Sequence, residues 1–326
     1  MKRKILITGV AGFIGSNLSR YLIKRATDQE GGEISEIIGI DNLSSGRREN
    51  IPDKVAFYCL DIRSPEIYPL FQGVDVVFHL AAKNCLYDCL KNPVETADIN
   101  VVGTINVFEA CRRNKVRKIV YAESSALYEG SKVFPTPETE VRPLSFYSVS
   151  KNAAMLFAQA YNRFYDVNFT ALRYFCVYGP SQDYNRTIPP VMSAFIIKLL
   201  KGEAPVIYGS GKKRRDFIYI DDVNDFHWLC IFDPRTDNRS FNLGSGRNYS
   251  VLEIYEEVVA LLGIRIAPLF LPDLPGEAED TLADISLARS LGWEPKTGLK
   301  EGLKKEIDYL RKEIEKGSIE TRKNGK

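Results

Sequence analysis

The sequence predicts an α/β fold around a doubly wound parallel sheet, followed by a smaller lobe, and three observations carry that prediction. Short apolar runs alternate with segments of helical period from the N-terminus to about residue 175, the mark of strands joined by helical crossovers. A glycine-rich turn stands directly between the first strand and the first helix. Small and polar residues recur where strands end: Gly9, Asp41, Asp61, His79, Ala81, Ser124 and Tyr178. Right-handed crossovers bring such ends to one edge of a parallel sheet, where ligands bind.

Residues 4–8 form the first strand; Gly9, Gly12 and Gly15 follow, and residues 16–25 carry Leu18, Tyr21 and Leu22 at helical spacing. Such a turn supplies positive φ, close backbone approach and the free amides of a helix N-terminus, which is what a dinucleotide diphosphate needs. Glycines that merely tighten the chain are the alternative. The second strand, residues 37–40, ends in Asp41, with Asn42, Ser44 and Gly46 behind it. A carboxylate at that tip accepts from both adenosine ribose hydroxyls and repels a 2′-phosphate, so it favours NAD over NADP. Arg47 and Arg48 are the opposing signal, as phosphate holders or as solvated loop residues. The polar insert at residues 27–33 reads as a surface loop.

Further strands are expected at residues 55–60, 74–80, 117–122 and 169–173, with long helices at 93–113 and 143–165. On the last helix, Tyr147 and Lys151 are four apart and share one face. An ammonium there favours the phenolate by Coulomb attraction and makes the pair a proton-transfer device. The same spacing also fits a half-buried aromatic beside a solvated lysine. Asn100 inside an apolar helix reads as tied to backbone near the site; Asp61 reads as an acceptor on the adenine side or as a solvated loop acid.

Residues 1–175, with a returning segment at about 216–250, read as the nucleotide domain; about 176–215 and 251–326 read as the substrate lobe. In that lobe, helices are expected at 191–201, at 250–262 and after residue 299, with a proline-rich stretch at 267–276 and frayed last residues. The net charge of +2, from 44 basic and 42 acidic residues, gives no bulk field for nucleic acid or membrane. No apolar run approaches the ~20 residues of a membrane helix, and a cytoplasmic protein is expected. Six scattered cysteines without paired spacing and only two histidines, His79 and His227, read as reduced thiols and no metal site.

Together these blocks resemble the extended short-chain dehydrogenase/reductase family, a Rossmann-fold family, and within it the nucleotide-sugar 4-epimerases. Carrying the likeness, besides the glycine turn, are Asp41 to Gly46, Asp61-Ile62, His79-Leu80-Ala81-Ala82, Asn100-x2-Gly103, Ser124-Ser125, Tyr147-x3-Lys151, Arg173-Tyr174-Phe175, Arg215-Asp216-Phe217 and Ala283-Asp284. The resemblance implies Tyr147 as acid/base, Lys151 as its electrostatic partner and Ser124 as donor to the reacting hydroxyl. It places the NAD diphosphate on Gly9, Gly12, Phe13, Ile14 and Gly15, and the adenosine on Asp41, Asn42, Ser44, Gly46, Asp61 and Ile62. The middle of NAD falls to Leu80, Ala81, Ala82 and Lys83, with Asn100 and Tyr174 beside it. Lys83, Ser124, Ser125, Tyr147, Cys176, Arg215 and Asp216 are the implied substrate contacts, with a UDP-sugar as partner and a homodimer through the helices at about 94–113 and 145–165.

Three departures refine the resemblance. Ser125 and Ala126 stand where related dehydratases and decarboxylases carry acids, which favours epimerisation or carbonyl reduction over elimination of water or loss of carboxylate. Cys176 replaces a usual asparagine, and Leu274 a usual arginine before Pro-Gly, so Arg215, or Arg186, Lys212, Lys213 and Arg214, are expected to take up the diphosphate. The alternatives are another oxidoreductase of the same family or a non-catalytic NAD-binding regulator.

Overall fold

The computed structural model describes residues 2–28, 33–273 and 278–319. Six strands are laid down first: β1 (Arg3–Thr8), β2 (Ile34–Asp41), β3 (Ala56–Cys59), β4 (Val76–His79), β5 (Lys118–Ser124) and β6 (Phe169–Tyr174). Between them run α1 (Phe13–Asp28), α2 (Leu86–Lys91), α3 (Pro93–Ala97), α4 (Thr104–Arg113) and α5 (Phe146–Tyr165). The segment expected as one helix over 93–113 is helical throughout, but Asp98–Gly103 is wound as a wider π-helical turn between α3 and α4. Such turns recur at functional sites because they aim a side chain out of register; here the residue is Asn100.

Past β6 the chain builds β7 (Cys176–Tyr178), α6 (Val191–Leu200), β8 (Val206–Tyr208) and β9 (Arg214–Tyr219). It then returns to the large sheet with α7 (Ile220–Phe232) and β10 (Arg239–Leu243), and finishes with β11 (Asn248–Ser250), α8 (Val251–Leu262), β12 (Leu269–Leu271), α9 (Ser286–Arg289) and α10 (Leu299–Glu315). The large sheet has the order β10-β6-β5-β4-β1-β2-β3, and every pairing in it is parallel. The chain winds outward in one direction from β1 and in the other from β4, so the crevice between those strands is the switch point where ligands bind. β9 and β11 fall largely in the segment expected to return to this sheet, yet β9 pairs with β7 on one side and β11 on the other in a separate three-stranded sheet.

Both faces of the large sheet are apolar and covered, as a parallel sheet requires. Ile5, Ile7, Val76, Phe78, Val120 and Leu172 pack with Leu18 and Leu22 of α1 and Phe226 of α7. Leu6, Val77, Tyr121 and Ala171 pack on the other face with Val107 and Phe108 of α4 and Ala154 and Ala158 of α5. The alternation along each strand therefore sends odd and even residues of β5 to opposite layers. A third core joins α6, α8 and α10 through Phe195, Ile196, Ile254, Val258, Leu303 and Ile307. Among the described residues no helix is long and apolar enough to cross a membrane.

The insert at 27–33 and the last residues expected to fray fall mostly outside the described residues, as does Leu274.

Candidate active site

At the switch point the glycine turn is shaped by three different demands. Gly9 has φ +72°, and a side chain there would meet the Ala81 amide at 2.7 Å. A Cβ on Gly15 would lie 2.2 Å from the Gly9 carbonyl oxygen, so this glycine lets α1 sit against the turn. Gly12 differs: a Cβ there meets only the Gly9 carbonyl oxygen, at 3.3 Å. Packing does not demand that glycine, and its bare outer face keeps the backbone open beside the first turn of α1, with Phe13 and Ile14. The first-turn amides of a helix lack intrahelical partners and carry partial positive charge, which suits a diphosphate.

Asp41 closes β2 and is buried, its carboxylate accepting from the amides of Ala11 at 3.0 Å and Leu43 at 2.8 Å. Burial raises its pKa and these two bonds oppose the rise. The loop behind it turns at Leu43, with φ 57°, and at Ser44, whose amide donates to Asn42 Oδ1 at 3.1 Å. Gly46 lets the loop return over the turn, since a Cβ there would press the Ala11 side chain at 2.6 Å. Asn42 donates to Asp61 at 2.9 Å. Asp61 is also gripped by both sides of the Arg63 guanidinium, at 2.9 and 2.7 Å, and this hydrogen-bonded pairing holds its carboxyl well below the usual range. Ile62 is buried next to Gly103, where a Cβ would sit 2.7 Å from it. Arg47 is taken by Glu49 at 2.7 Å and the Tyr184 hydroxyl at 2.8 Å, and Arg48 stacks 4.8 Å from the Phe57 ring. Both arginines thus have protein partners.

At the end of β4 the chain runs through Leu80, Ala81, Ala82 and Lys83. The Leu80 amide donates to the Thr8 carbonyl at 3.2 Å and the Ala81 amide to the Thr8 hydroxyl at 3.3 Å. Asn100 accepts from the Lys83 amide at 2.8 Å and donates to the Lys83 carbonyl and to Ser150, both at 3.0 Å. One buried side chain therefore ties this loop to α5, as expected of Asn100. The Lys83 ammonium pairs with Glu95. His79 is sealed between Thr8 and Thr104 at 2.7 and 2.9 Å, and burial lowers its pKa to about 3, keeping it neutral.

Tyr147 enters the site in the first turn of α5. That helix begins with a capping box, the Ser145 hydroxyl accepting from the Ser148 amide at 3.1 Å. Glu129 holds the same turn, accepting from the Ser145 amide and the Ser148 hydroxyl at 2.8 Å each. Ser124 ends β5 and caps the short turn Ser125–Tyr128 by accepting from the Ala126 amide at 3.1 Å. It also acts on the Tyr147 phenol. Burial pushes the Tyr147 phenol up to about 12, Ser124 pulls it down, Cys89 and Glu129 push it up and the charge of Arg186 pulls it down. Lys151 is buried, its ammonium 4.7 Å from the centre of the Tyr121 ring; burial lowers its pKa to about 8 while Glu123 opposes the drop. By itself the protein therefore favours phenol over phenolate, and the influences opposing this are Ser124 and Arg186.

Toward the second lobe, Cys176 opens β7 and is half-buried. Arg215 on β9 donates to the Arg214 and Glu279 carbonyls at 3.0 and 3.3 Å. Asp216 is fully buried, and its carboxylate accepts from the Ser245 amide and hydroxyl and the amides of Gly246 and Ala283, at 2.6 to 3.0 Å. Four protein donors occupy that carboxylate, so it braces β9 and Arg215 rather than presenting an acceptor to a sugar. Tyr174 lies on the α7 side of the sheet, its hydroxyl 2.7 Å from His227. Of the other bases, Arg214 pairs with Glu253 at 2.9 Å and Lys213 with Asp273 at 2.5 Å, whereas Lys212 is exposed.

Residues 5–244 match the model of the NAD dependent epimerase/dehydratase family. The chain belongs to that family. The cofactor of this epimerase/dehydratase family member is NAD, and the clear face at Gly12 beside the α1 N-terminus fits it. The chain is similar to the UDP-glucose 4-epimerase of Thermotoga maritima, solved with UDP-glucose, at 34% identity and a TM-score of 0.89 over 95% of this chain and 99% of that one. It is 33% identical to the UDP-glucose 4-epimerase of Mycolicibacterium smegmatis, over 94% of this chain and 98% of the relative. It is 32% identical to the UDP-glucuronate 4-epimerase of Thermodesulfobacterium geofontis, over 95% and 97%.

Proposed function

We propose that the chain is a UDP-sugar 4-epimerase that inverts a hexose or N-acetylhexosamine through a transient 4-keto sugar. The observation that carries this reading is that Ser124 ends β5 while Tyr147 and Lys151 stand one turn apart on α5, which packs on the sheet whose strand ends also carry the glycine turn. Ser125 and Ala126, in the turn behind Ser124, offer no acid for elimination of water or loss of carboxylate. Tyr147 takes the proton of the sugar 4-hydroxyl and later returns it, with Ser124 holding that hydroxyl. Lys151 supports the phenolate as an ammonium. Bound NAD supplies the reversible hydride acceptor for C4. The lobe of β7, α6, β9, α8 and α10 holds the nucleotide, with Arg215 on its diphosphate. Two subunits join through the helical stretch of α3, the π-helical turn and α4 and through α5, where Val94 of α3, Val102 of the turn, and Val149, Leu156, Phe157 and Phe164 of α5 are exposed apolar residues. All six cysteines are free thiols, consistent with a cytoplasmic enzyme.

A second reading, a uronate substrate, is favoured by Arg186. Its guanidinium acts on Tyr147 by charge while its only hydrogen bond among the described residues is Nε to the Ile188 carbonyl, at 2.8 Å, so it suits a sugar carboxylate. The test is incubation of purified protein, without added NAD, with UDP-glucose, UDP-N-acetylglucosamine and UDP-glucuronate, followed by chromatography. Conversion of either of the first two to its 4-epimer supports the leading reading. Conversion of UDP-glucuronate alone replaces it with the second, and stoichiometric NADH with no epimer overturns both. Tyr147→Phe is expected to cut the rate by about 100-fold or more.

A further inference from the structure

Glu123 is the residue for which the mechanism above has no use. It precedes Ser124 on β5, is 2% exposed, and accepts through Oε2 from Arg173 Nε at 2.8 Å. Its Oε1 is buried with no hydrogen-bond partner. A buried carboxylate oxygen without a donor is costly and rare, so it calls for an explanation. Arg173, by contrast, donates also to the Tyr128 hydroxyl at 2.9 Å and to the Glu138 carbonyl.

The strand pleat supplies the geometry. Tyr121 and Glu123 are two apart on β5 and stand on the face packed by α5, about 7 Å from each other along the strand. The Lys151 ammonium sits over the Tyr121 ring at 4.7 Å, and the Tyr121 hydroxyl donates to the Lys151 carbonyl at 3.3 Å. Glu123 is thus the carboxylate one pleat from the lysine that the proposed mechanism requires charged, and both side chains are buried.

We propose that Glu123 is a positioning residue for catalysis, its carboxylate sustaining the ammonium of Lys151 from beneath Ser124 while Arg173 keeps the carboxylate ionised. The inference rests on the catalytic role given to Tyr147 and Lys151. Its electrostatic sense is consistent. Burial raises the pKa of Glu123, and the charges of Arg173 and Lys151 oppose that rise; burial lowers the pKa of Lys151, and the charge of Glu123 opposes that drop. The titratable and charged groups around them are Tyr121 on β5, Arg173 on β6, His79 on β4, Tyr147 on α5, Cys89 on α2, and Tyr128 and Glu138 in the loop beyond Ser124. His79 is held neutral, and burial raises the tyrosines and Cys89. Burial raises Glu138 as well.

The test is the pH dependence of kcat/KM with Glu123→Gln, beside the titration of Lys151 followed by NMR with 13Cε-labelled lysine and assigned by loss of the signal in Lys151→Arg. Removing one charge at this separation is expected to move the Lys151 midpoint, and the alkaline limb of the rate profile, down by about one pH unit. The rate would then fall about tenfold at alkaline pH and little at acid pH. Glu123→Asp should restore the limb. Should Glu123→Gln not fold with Arg173 left unpaired, Glu123→Gln/Arg173→Met removes both charges, and a downward shift smaller than that of Glu123→Gln is expected, because losing the Arg173 cation offsets part of it. An unchanged Lys151 midpoint, or a rate loss equal at every pH, overturns the proposal. The NMR titration needs no substrate, so it stands even if no UDP-sugar is converted, and failure of the epimerase reading is seen separately.

Discussion

Glu306 of α10 is 1% exposed and lies beside the third core. Its Oε1 accepts from the Ser193 hydroxyl at 2.6 Å, and its Oε2 is buried without a partner. Burial pushes its pKa up to about 7 from the ordinary 4.5, against the pull of Ser193. A group raised on folding contributes stability that is fully present below its unfolded pKa and lost as pH rises through its folded pKa. The window here is therefore about pH 4.5 to 7. A shift of about 2.5 units is worth about 3 kcal/mol at full development, against about 1 kcal/mol at pH 5. Glu306→Gln mimics the protonated acid, keeps an acceptor for Ser193 and removes this titration. Urea unfolding of both proteins should place them within about 1 kcal/mol of each other at pH 5, with the variant more stable by about 3 kcal/mol at pH 8.5. Equal differences at the two pH values would refute the reasoning, since a packing effect has no reason to follow this window.

Three further outcomes follow from the geometry. Gly15→Ala forces a Cβ to 2.2 Å from the Gly9 carbonyl oxygen, so it should lower the melting temperature sharply. Gly12→Ala, with only a 3.3 Å contact, should melt within a few degrees of wild type yet lose the NAD seen by native mass spectrometry; full retention would sink the assigned diphosphate face. Phe157→Arg, on the exposed face of α5, should turn the proposed dimer into a folded monomer by light scattering, with little change in circular dichroism, and a persistent dimer would move the interface elsewhere.

How far each feature was legible in the sequence depended on how local its cause is. The glycine turn, Asp41 and the helical pair Tyr147 and Lys151 are written in short windows, because strand, turn and helix each impose a period of a few residues. The parallel sheet follows from the same alternation. Asn100 could be inferred because an amide in an apolar stripe needs a partner, though not that the partner would be the Lys83 backbone. Arg63 on Asp61 and Glu129 on the α5 cap went unread. Both are acid–base or acid–amide contacts that charge pattern alone does not separate from solvated surface residues. Asp216 misled, since a conspicuous acid beside Arg215 looks like a ligand until its four donors are seen, three of them reaching from residues 245 and 246.

By itself, then, the sequence determined the doubly wound fold, the dinucleotide cradle and the residues able to move a proton, all consequences of periodicity and of residue chemistry. Only the tertiary structure decided which charges stand beside them. Glu123 and Arg173 are paired across neighbouring parallel strands, about 50 residues apart in the chain, and Lys151 reaches the same layer from a helix. Nothing periodic in a sequence encodes such a meeting; packing of α5 on the odd residues of β5 does.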